Sequence, residues 1–487
     1  MKAGRLVAAM TLFMSSVACV FAQPQAPNVE WSRTYGRQGD DFCESVRQTS
    51  DGGYLLAGST EREEDGWEDF WLLRTNAVGD CLWSRTYGGD GRRECLSMEQ
   101  TADGGCVMAG YSDFTGAGGA NIWIVKTDAE GDSQWSRSFG GAEYDVCRAV
   151  LQADDGGYIL AGYTGSYGAG GYDFWLVKTD SLGDSLWSRT FGGYSDDVCT
   201  CAQQTADGGY ILGGLTWSFG VGWTDIWLVK TDANGDSQWS RTIGGSGVES
   251  CHRVQQTADG GFVLAGQRYE PTDSSLGDAC LPKTDAVGDC LWMRTFGGSL
   301  DDIALAVQQT TEGGYIVVTM ITLNPGGDVD AEVIRTNAAG DSLWSMRLGG
   351  PRYDVFFDFQ RTADGGFVFA GYAQSPEPVF SDMWLVKTGP ELSATAPPLA
   401  QDLRFLTNYP NPFNARTTVE FVVPRRSRVM IRAFDLLGRE VGTISDDFYA
   451  LGRHTIPWEC RNCASGTYWI SMTGDGFQLV RKTILLR

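Results

Sequence analysis

Tryptophan returns along this chain at near-constant spacing: Trp31, Trp83, Trp135, Trp187, Trp239, Trp292 and Trp344 lie 52, 52, 52, 52, 53 and 52 residues apart. Each opens a version of W-S-R-T-[FY]-G-G, and D-G-G-[YF] follows about twenty residues on. A unit of this length, repeated seven times, predicts a closed ring of seven similar sheets.

One unit, residues 197–245, shows the internal plan. Strand A is expected over 197–205, strand B over 210–216, strand C over 225–231 and strand D over 236–243, with Gly-containing turns at 206–209 and 232–235. Four antiparallel strands in one unit make a propeller blade, so the fold class is all-β, a seven-bladed propeller over residues 28–388. The phase of the repeat supports closure. A lone D strand, 30–35, opens the propeller, and the seventh unit stops after its C strand, 382–388. Each supplies what the other lacks, and pairing them removes two exposed edges. The D-strand tryptophans, with Trp71, Trp123, Trp175, Trp227 and Trp384 on the C strands, are expected to wedge the blades apart. Cys280 and Val333 replace the C-strand Trp in units five and six, and Pro282 sits within the fifth C strand. Those blades are expected to pack least well.

A net charge of −23 excludes a nucleic-acid partner, which requires a basic face. Residues 1–22 read as a secretory signal: Lys2 and Arg5, an apolar stretch, and Val20-Phe21-Ala22 as the cleavage site. No other stretch is a candidate to span a membrane, and a monomer is expected. Of 13 cysteines, Cys19 falls in the signal, leaving 12 in an exported chain. Cys43, Cys95, Cys147, Cys199 and Cys251 occupy one repeat position and are expected to be buried small apolar groups rather than partners of one another. Cys460 and Cys463, close together in a turn, are the candidate disulfide.

Strand alternation puts the short A–B and C–D turns on one face and the variable B–C and D–A loops on the other, where function is expected. An acidic residue recurs where strand A starts: Asp41, Asp145, Asp197, Glu249, Asp302 and Asp354, with Arg93 in the second unit. These carboxylates are expected around one mouth of the central channel, where they would hold Ca²⁺ or a cationic group; the plainer reading is a solvated turn cap. The B–C loops carry Trp67, Phe114, Tyr167, Tyr172, Trp217, Trp223 and Tyr269 among Gly, Ser and Asp. Exposed aromatic rings beside acids suit a glycan or a protein ligand. The D-x-x-G-D turns lack the spacing of a calcium loop and read as hairpins. With His252 and His454 the only histidines, in different domains, a histidine-based triad has little to stand on, and no metal cluster is visible.

The period breaks after a linker, 389–402, and strands are expected at 417–423, 429–434, 452–456, 466–472 and 477–486. NYPNPFN at 408–414, DLLGREV at 435–441, Trp458, ASGTY at 464–468 and KTILLR at 482–487 follow in order. Residues 403–487 thereby resemble the type A C-terminal sorting domain of the bacterial type IX secretion system, an Ig-like sandwich similar to that of flagellar hook-capping proteins. The resemblance implies export across both membranes with the type IX machinery as partner, then release or attachment at the surface, usually with removal of this domain. Cys460 and Cys463 depart from the family's usual Gly and polar residues. The 52-residue unit is similar to propeller repeats of secreted bacterial proteins carrying this tail. The leading functional reading is a secreted or surface-displayed binding protein. A carbohydrate-active enzyme using a carboxylate pair, or a structural surface-layer component, are its alternatives.

Overall fold

The computed structural model describes residues 25–113, 118–270, 276–375 and 379–391, then 404–409, 413–414, 416–423, 427–436, 438–449, 452–460, 463–474 and 477–486. The signal segment, most of the linker and Phe114 lie outside these residues. The chain divides near residue 393 into two units.

The first unit holds seven four-stranded antiparallel sheets. In blade four the strands run Asp197–Gln204 (A), Tyr210–Thr216 (B), Asp225–Thr231 (C) and Ser237–Ile243 (D). The opening strand Val29–Tyr35 pairs antiparallel with Ser381–Thr388, the C strand of blade seven, and completes its sheet. Ring closure also has an apolar core: Cys43, Val46, Tyr54, Leu56 and Trp71 of blade one pack with Val368, Ala370, Met383 and Leu385 of blade seven.

The repeated motif residues join neighbouring blades. Trp135 on the D strand of blade three's predecessor meets Tyr158, the aromatic of D-G-G-[YF] in the next blade, edge-on at 5.6 Å. Trp31–Tyr54, Trp239–Phe262 and Trp292–Tyr315 repeat this contact at 5.8–6.0 Å. The D-x-x-G-D turn of the next blade closes over the same ring. Its glycine sits at φ 81° in Gly183, and a Cβ there would lie 2.7 Å from Trp135. The arginine of W-S-R, Arg137, stacks on Trp135 at 5.6 Å and pairs with Asp184 of that turn at 3.1 Å. The first Asp of the turn is an Asx acceptor: Asp232 Oδ1 takes the Asn234 and Asp236 N–H groups, each at 2.9 Å. These turns are therefore inter-blade clasps. Inside five blades the buried lysine of W-L-V-K reaches the A–B turn, as Lys230 Nζ does to Asp207 at 2.8 Å, and Arg74 and Arg335 do the same in blades one and six.

Blade five carries the expected defect. Its B–C ladder pairs Val263 with Lys283 and next pairs Gly266 with Cys280, skipping the stretch around Pro282, which has no N–H to donate.

The second unit is a sandwich of a three-stranded and a four-stranded sheet. Its core is built by alternation: Val419, Phe421 and Val423 from one strand, Val429, Ile431 and Ala433 from another, and Tyr468, Ile470 and Met472 from a third, with Trp458 between. Cys460 and Cys463 are joined by a disulfide, their Cα atoms 5.5 Å apart, and both lie in this core. Strands Arg404–Tyr409 and Glu440–Tyr449 are additional to those expected. Glu440–Tyr449 is the edge of its sheet, and it carries Asp446 and Asp447 where a core strand would alternate.

Candidate functional site

The acidic positions do not form an open ring. Asp41, Asp145, Asp197 and Glu249 are 0 % exposed, Asp302 2 % and Asp354 4 %. Each side chain closes its own D–A loop by accepting the N–H four residues upstream. Arg37 donates to Asp41 at 2.7 Å, Gly141 to Asp145 at 2.8 Å and Gly193 to Asp197 at 2.8 Å. Gly245 donates to Glu249 at 3.2 Å, Gly298 to Asp302 at 2.7 Å and Gly350 to Asp354 at 2.5 Å. The expectation of a solvent-facing ring at the channel mouth is corrected: these are buried loop caps between blades. Each faces the residue that starts the preceding blade's C strand. A Cβ on Gly192 would lie 1.5 Å from Asp173 Oδ1 and 2.9 Å from Asp197 Oδ2, so the first Gly of F-G-G makes room for two carboxylates. Burial pushes Asp41 up to about 6, with Asp382 adding to the rise. Burial likewise raises Asp173, Glu249, Asp302, Asp330 and Asp354. Arg93 replaces the acid beside Asp69 and stacks over Trp123 at 5.1 Å. Among the described residues no group of three or more His, Cys, Asp and Glu side chains gathers to hold a metal ion, so the calcium reading has no converging ligand set behind it.

The central channel holds a second set. Strand A of every blade carries a bulge, and the extra residue is Glu44, Leu96, Arg148, Thr200, His252, Leu305 or Phe357. Burial drives Glu44 up to about 7 against the pull of Arg148 from blade three. Burial and the Arg148 charge hold His252 down at about 4, a neutral ring 3.3 Å from Ser250 Oγ. Nearer the turn face, Asp358 accepts Arg47 at 2.7 Å and Arg253 at 3.4 Å, and Arg47 also reaches Glu99 at 3.3 Å. This network crosses a cavity of about 300 Å³ lined by strand-A residues of all seven blades.

The aromatic residues of the variable face fall into two groups. Tyr167 folds back: its ring lies 5.4 Å from Trp175 and its hydroxyl donates to the Gly140 carbonyl at 2.9 Å. Trp67 is exposed but sits alone on blade one. Trp217 and Trp223 share the B–C loop of blade four and are 47 % and 77 % exposed. Trp217, Phe219 and Tyr194 line one shallow groove with the glycines of the blade-three loop and of the intervening D–A loop. Tyr194, in that D–A loop, is 96 % exposed and lies outside the B–C loops where aromatic contact residues are expected. Its signal was available in G-G-Y-S, an aromatic where most units place a small or charged residue.

Comparing blades three and four isolates what is added. The loops read T-G-S-Y-G-A-G-G-Y at 164–172 and T-W-S-F-G-V-G-W-T at 216–224. Both have the same scaffold. Thr164 Oγ1 accepts Ser166 and Tyr167 N–H at 3.1 and 3.2 Å, and Thr216 Oγ1 accepts Ser218 and Phe219 N–H at 3.0 and 3.1 Å. Gly168 and Gly170 lie at φ 110° and 149°, their counterparts Gly220 and Gly222 at 96° and 114°. Phe219 packs on Trp227 at 5.1 Å as Tyr167 packs on Trp175. Trp217 and Trp223 thus stand where blade three has Gly165 and Gly171, so the loop conformation does not require them.

Residues 407–486 match the model of the secretion system C-terminal sorting domain. A regulatory protein FlaEY of Caulobacter vibrioides is 27% identical over 27% of this chain, which spans 16% of that relative. Among solved structures, PorZ, a surface component of the type IX secretion system of Porphyromonas gingivalis, aligns over 95% of this chain and 61% of its own at 10% identity and TM-score 0.43. The propeller domain of the trilobed protease of Pyrococcus furiosus aligns over 76% of this chain and 97% of its own at 11% identity and TM-score 0.42. The C-terminal unit is a sorting domain of the type IX secretion system, and the chain is a β-propeller protein exported by that route, secreted or held at the cell surface.

Proposed function

We propose that the exported propeller is a glycan-binding module whose contact surface is the loop face of blade four: the groove of Trp217, Tyr194 and Phe219, and Trp223, exposed on the same loop. The observation that carries this reading is the replacement of two loop glycines of blade three by two exposed tryptophans on the same backbone in blade four. Exposing a Trp ring forfeits about 2 kcal/mol of burial, so two exposed rings that the loop conformation does not require point to another occupant. Flat aromatic faces on a shallow, polar-rimmed groove suit sugar rings, which present apolar C–H faces and hydroxyl edges. The loop is held before any ligand arrives: Trp217 N–H donates to the Asp196 carbonyl at 2.9 Å, Trp223 N–H to the Gly247 carbonyl at 3.1 Å, and Ser218 Oγ to the Ser195 carbonyl at 3.2 Å. Preorganisation of this kind lowers the ordering cost of binding.

The test is a glycan array probed with the full-length exported protein and with its Trp217→Gly/Trp223→Gly and Tyr194→Ala variants. Binding to a defined set of glycans, lost in the variants, supports the proposal. Absence of any glycan binding, or binding indifferent to both variants, removes it.

A further inference from the structure

Cys201 is the one cysteine of the propeller's inner strands outside the repeated cysteine position, which Cys199 fills in the same strand. It occupies the slot of Ser45, Ser97, Ala149, Arg253, Ala306 and Asp358 in the other blades. That slot reaches across to the inner strand of the next blade. Ser45 Oγ accepts Met98 N–H at 3.2 Å, Ser97 Oγ accepts Val150 N–H at 3.1 Å, and Asp358 Oδ2 accepts Val46 N–H at 3.2 Å. In blade four the reaching group is a thiol, and it meets another: Cys201 Sγ lies 3.8 Å from Cys251 Sγ of blade five, both buried.

A second change in the same blade fits the first. On strand B, the blades place Ala57, Ala109, Ala161, Ala265, Val318 and Ala370 at one position, and blade four alone has Gly213. A Cβ on Gly213 would lie 3.0 Å from Cys201 Sγ and 3.3 Å from Cys251 Sγ. Gly213 has an ordinary φ, so no turn requires glycine here; what it provides is room for two sulfurs.

We infer that Cys201 and Cys251 form a disulfide that staples blade four to blade five in the exported protein. Closing the bond brings the sulfurs from 3.8 Å to about 2.0 Å, within reach of small side-chain rotations in a pocket cleared of a methyl group. Export places the chain where disulfides persist. The oxidant is a disulfide-bearing thiol oxidase or exchange protein of the cell envelope. A Cys201 thiolate attacks its disulfide, forming a mixed disulfide and releasing one thiolate. Cys251 then loses its proton and displaces the second thiol, so two protein thiols are oxidised and one disulfide is reduced. Because both sulfurs are buried, the exchange precedes the docking of blades four and five. The staple also falls where it is useful: blade five is the one whose B–C ladder skips the stretch around Pro282 and that lacks the C-strand Trp.

Full-length protein collected after export, denatured and alkylated without reductant, is the test. The expected result is that Cys201 and Cys251 stay unalkylated until reduced, and that their peptides run as one species two hydrogens lighter than the sum. Alkylation of both without reduction, or pairing of Cys201 with Cys199, overturns the inference. A second readout uses stability. Reductant should lower the melting temperature of the native sequence by about 5 °C. It should have little effect on the Cys201→Ala variant, which retains the Cys460–Cys463 bond. Equal shifts in both proteins also overturn it.

Discussion

The two faces of this propeller grow from the same strands and are built on opposite plans. On the turn face the repeated residues join their own or the next blade. Trp135 meets Tyr158, Arg137 meets Asp184, and Lys230 meets Asp207. On the loop face the repeated residues, the acids where strand A starts, are buried caps, and the most exposed aromatic rings among the described propeller residues stand where the repeat leaves the position free: Tyr194 and Trp223. The comparison teaches that regularity marks the scaffold and departure from it marks the place to look for binding.

Removing a clasp on the turn face should cost most. Trp135→Ala deletes a half-buried ring that touches Tyr158, Arg137 and Gly183, and should destabilise by about 3 kcal/mol in chemical denaturation. Gly183→Ala puts a methyl into the same ring at a positive φ and should cost about 2 kcal/mol. If either variant were neutral, the clasp would not be what holds adjacent blades.

The faces also titrate in opposite directions. At the turn face, burial raises Asp207 and Asp364, but the lysine, the threonine hydroxyl and the turn N–H outweigh it and hold both at about 2. Their contribution is present above the unfolded value of about 4 and is lost as pH falls toward 2. At the loop face Asp41 is raised to about 6, so the folded state binds its proton more tightly than the unfolded chain. That contribution is present below about 4 and is lost as pH rises through 6. The melting temperature should therefore peak between about pH 4 and 5 and fall on both sides. A peak at or above neutrality would mean that the junction carboxylates are not held as described. The smallest stability effect belongs to Trp217→Gly/Trp223→Gly, which restores the two glycines of the blade-three loop and should change unfolding free energy by less than about 0.5 kcal/mol.

Much of the scaffold was legible because a 52-residue period states the same plan seven times. The orphan D strand and the missing seventh D strand were legible together, and Val29–Tyr35 does complete the last blade. The acids were misplaced because an Asp that caps its own loop and an Asp that waits for a ligand look identical in sequence. Only burial separates them, and Asp197 is 0 % exposed. Tyr194 and the Cys201–Cys251 contact escaped for another reason. Both join positions that are not equivalent in the repeat, and a periodic reading compares only equivalent ones. Glu440–Tyr449 escaped because an edge strand carrying two adjacent aspartates shows no alternation.

The central claim is that the loop face binds and the repeat only supports it. Titration of the best array glycan into the native protein and into Trp217→Gly/Trp223→Gly, with melting curves of both, tests it most directly. The account predicts at least about a tenfold loss of affinity, worth about 1.4 kcal/mol, at an unchanged melting temperature. Equal affinity in the two proteins, or a loss that tracks a lowered melting temperature, would contradict it.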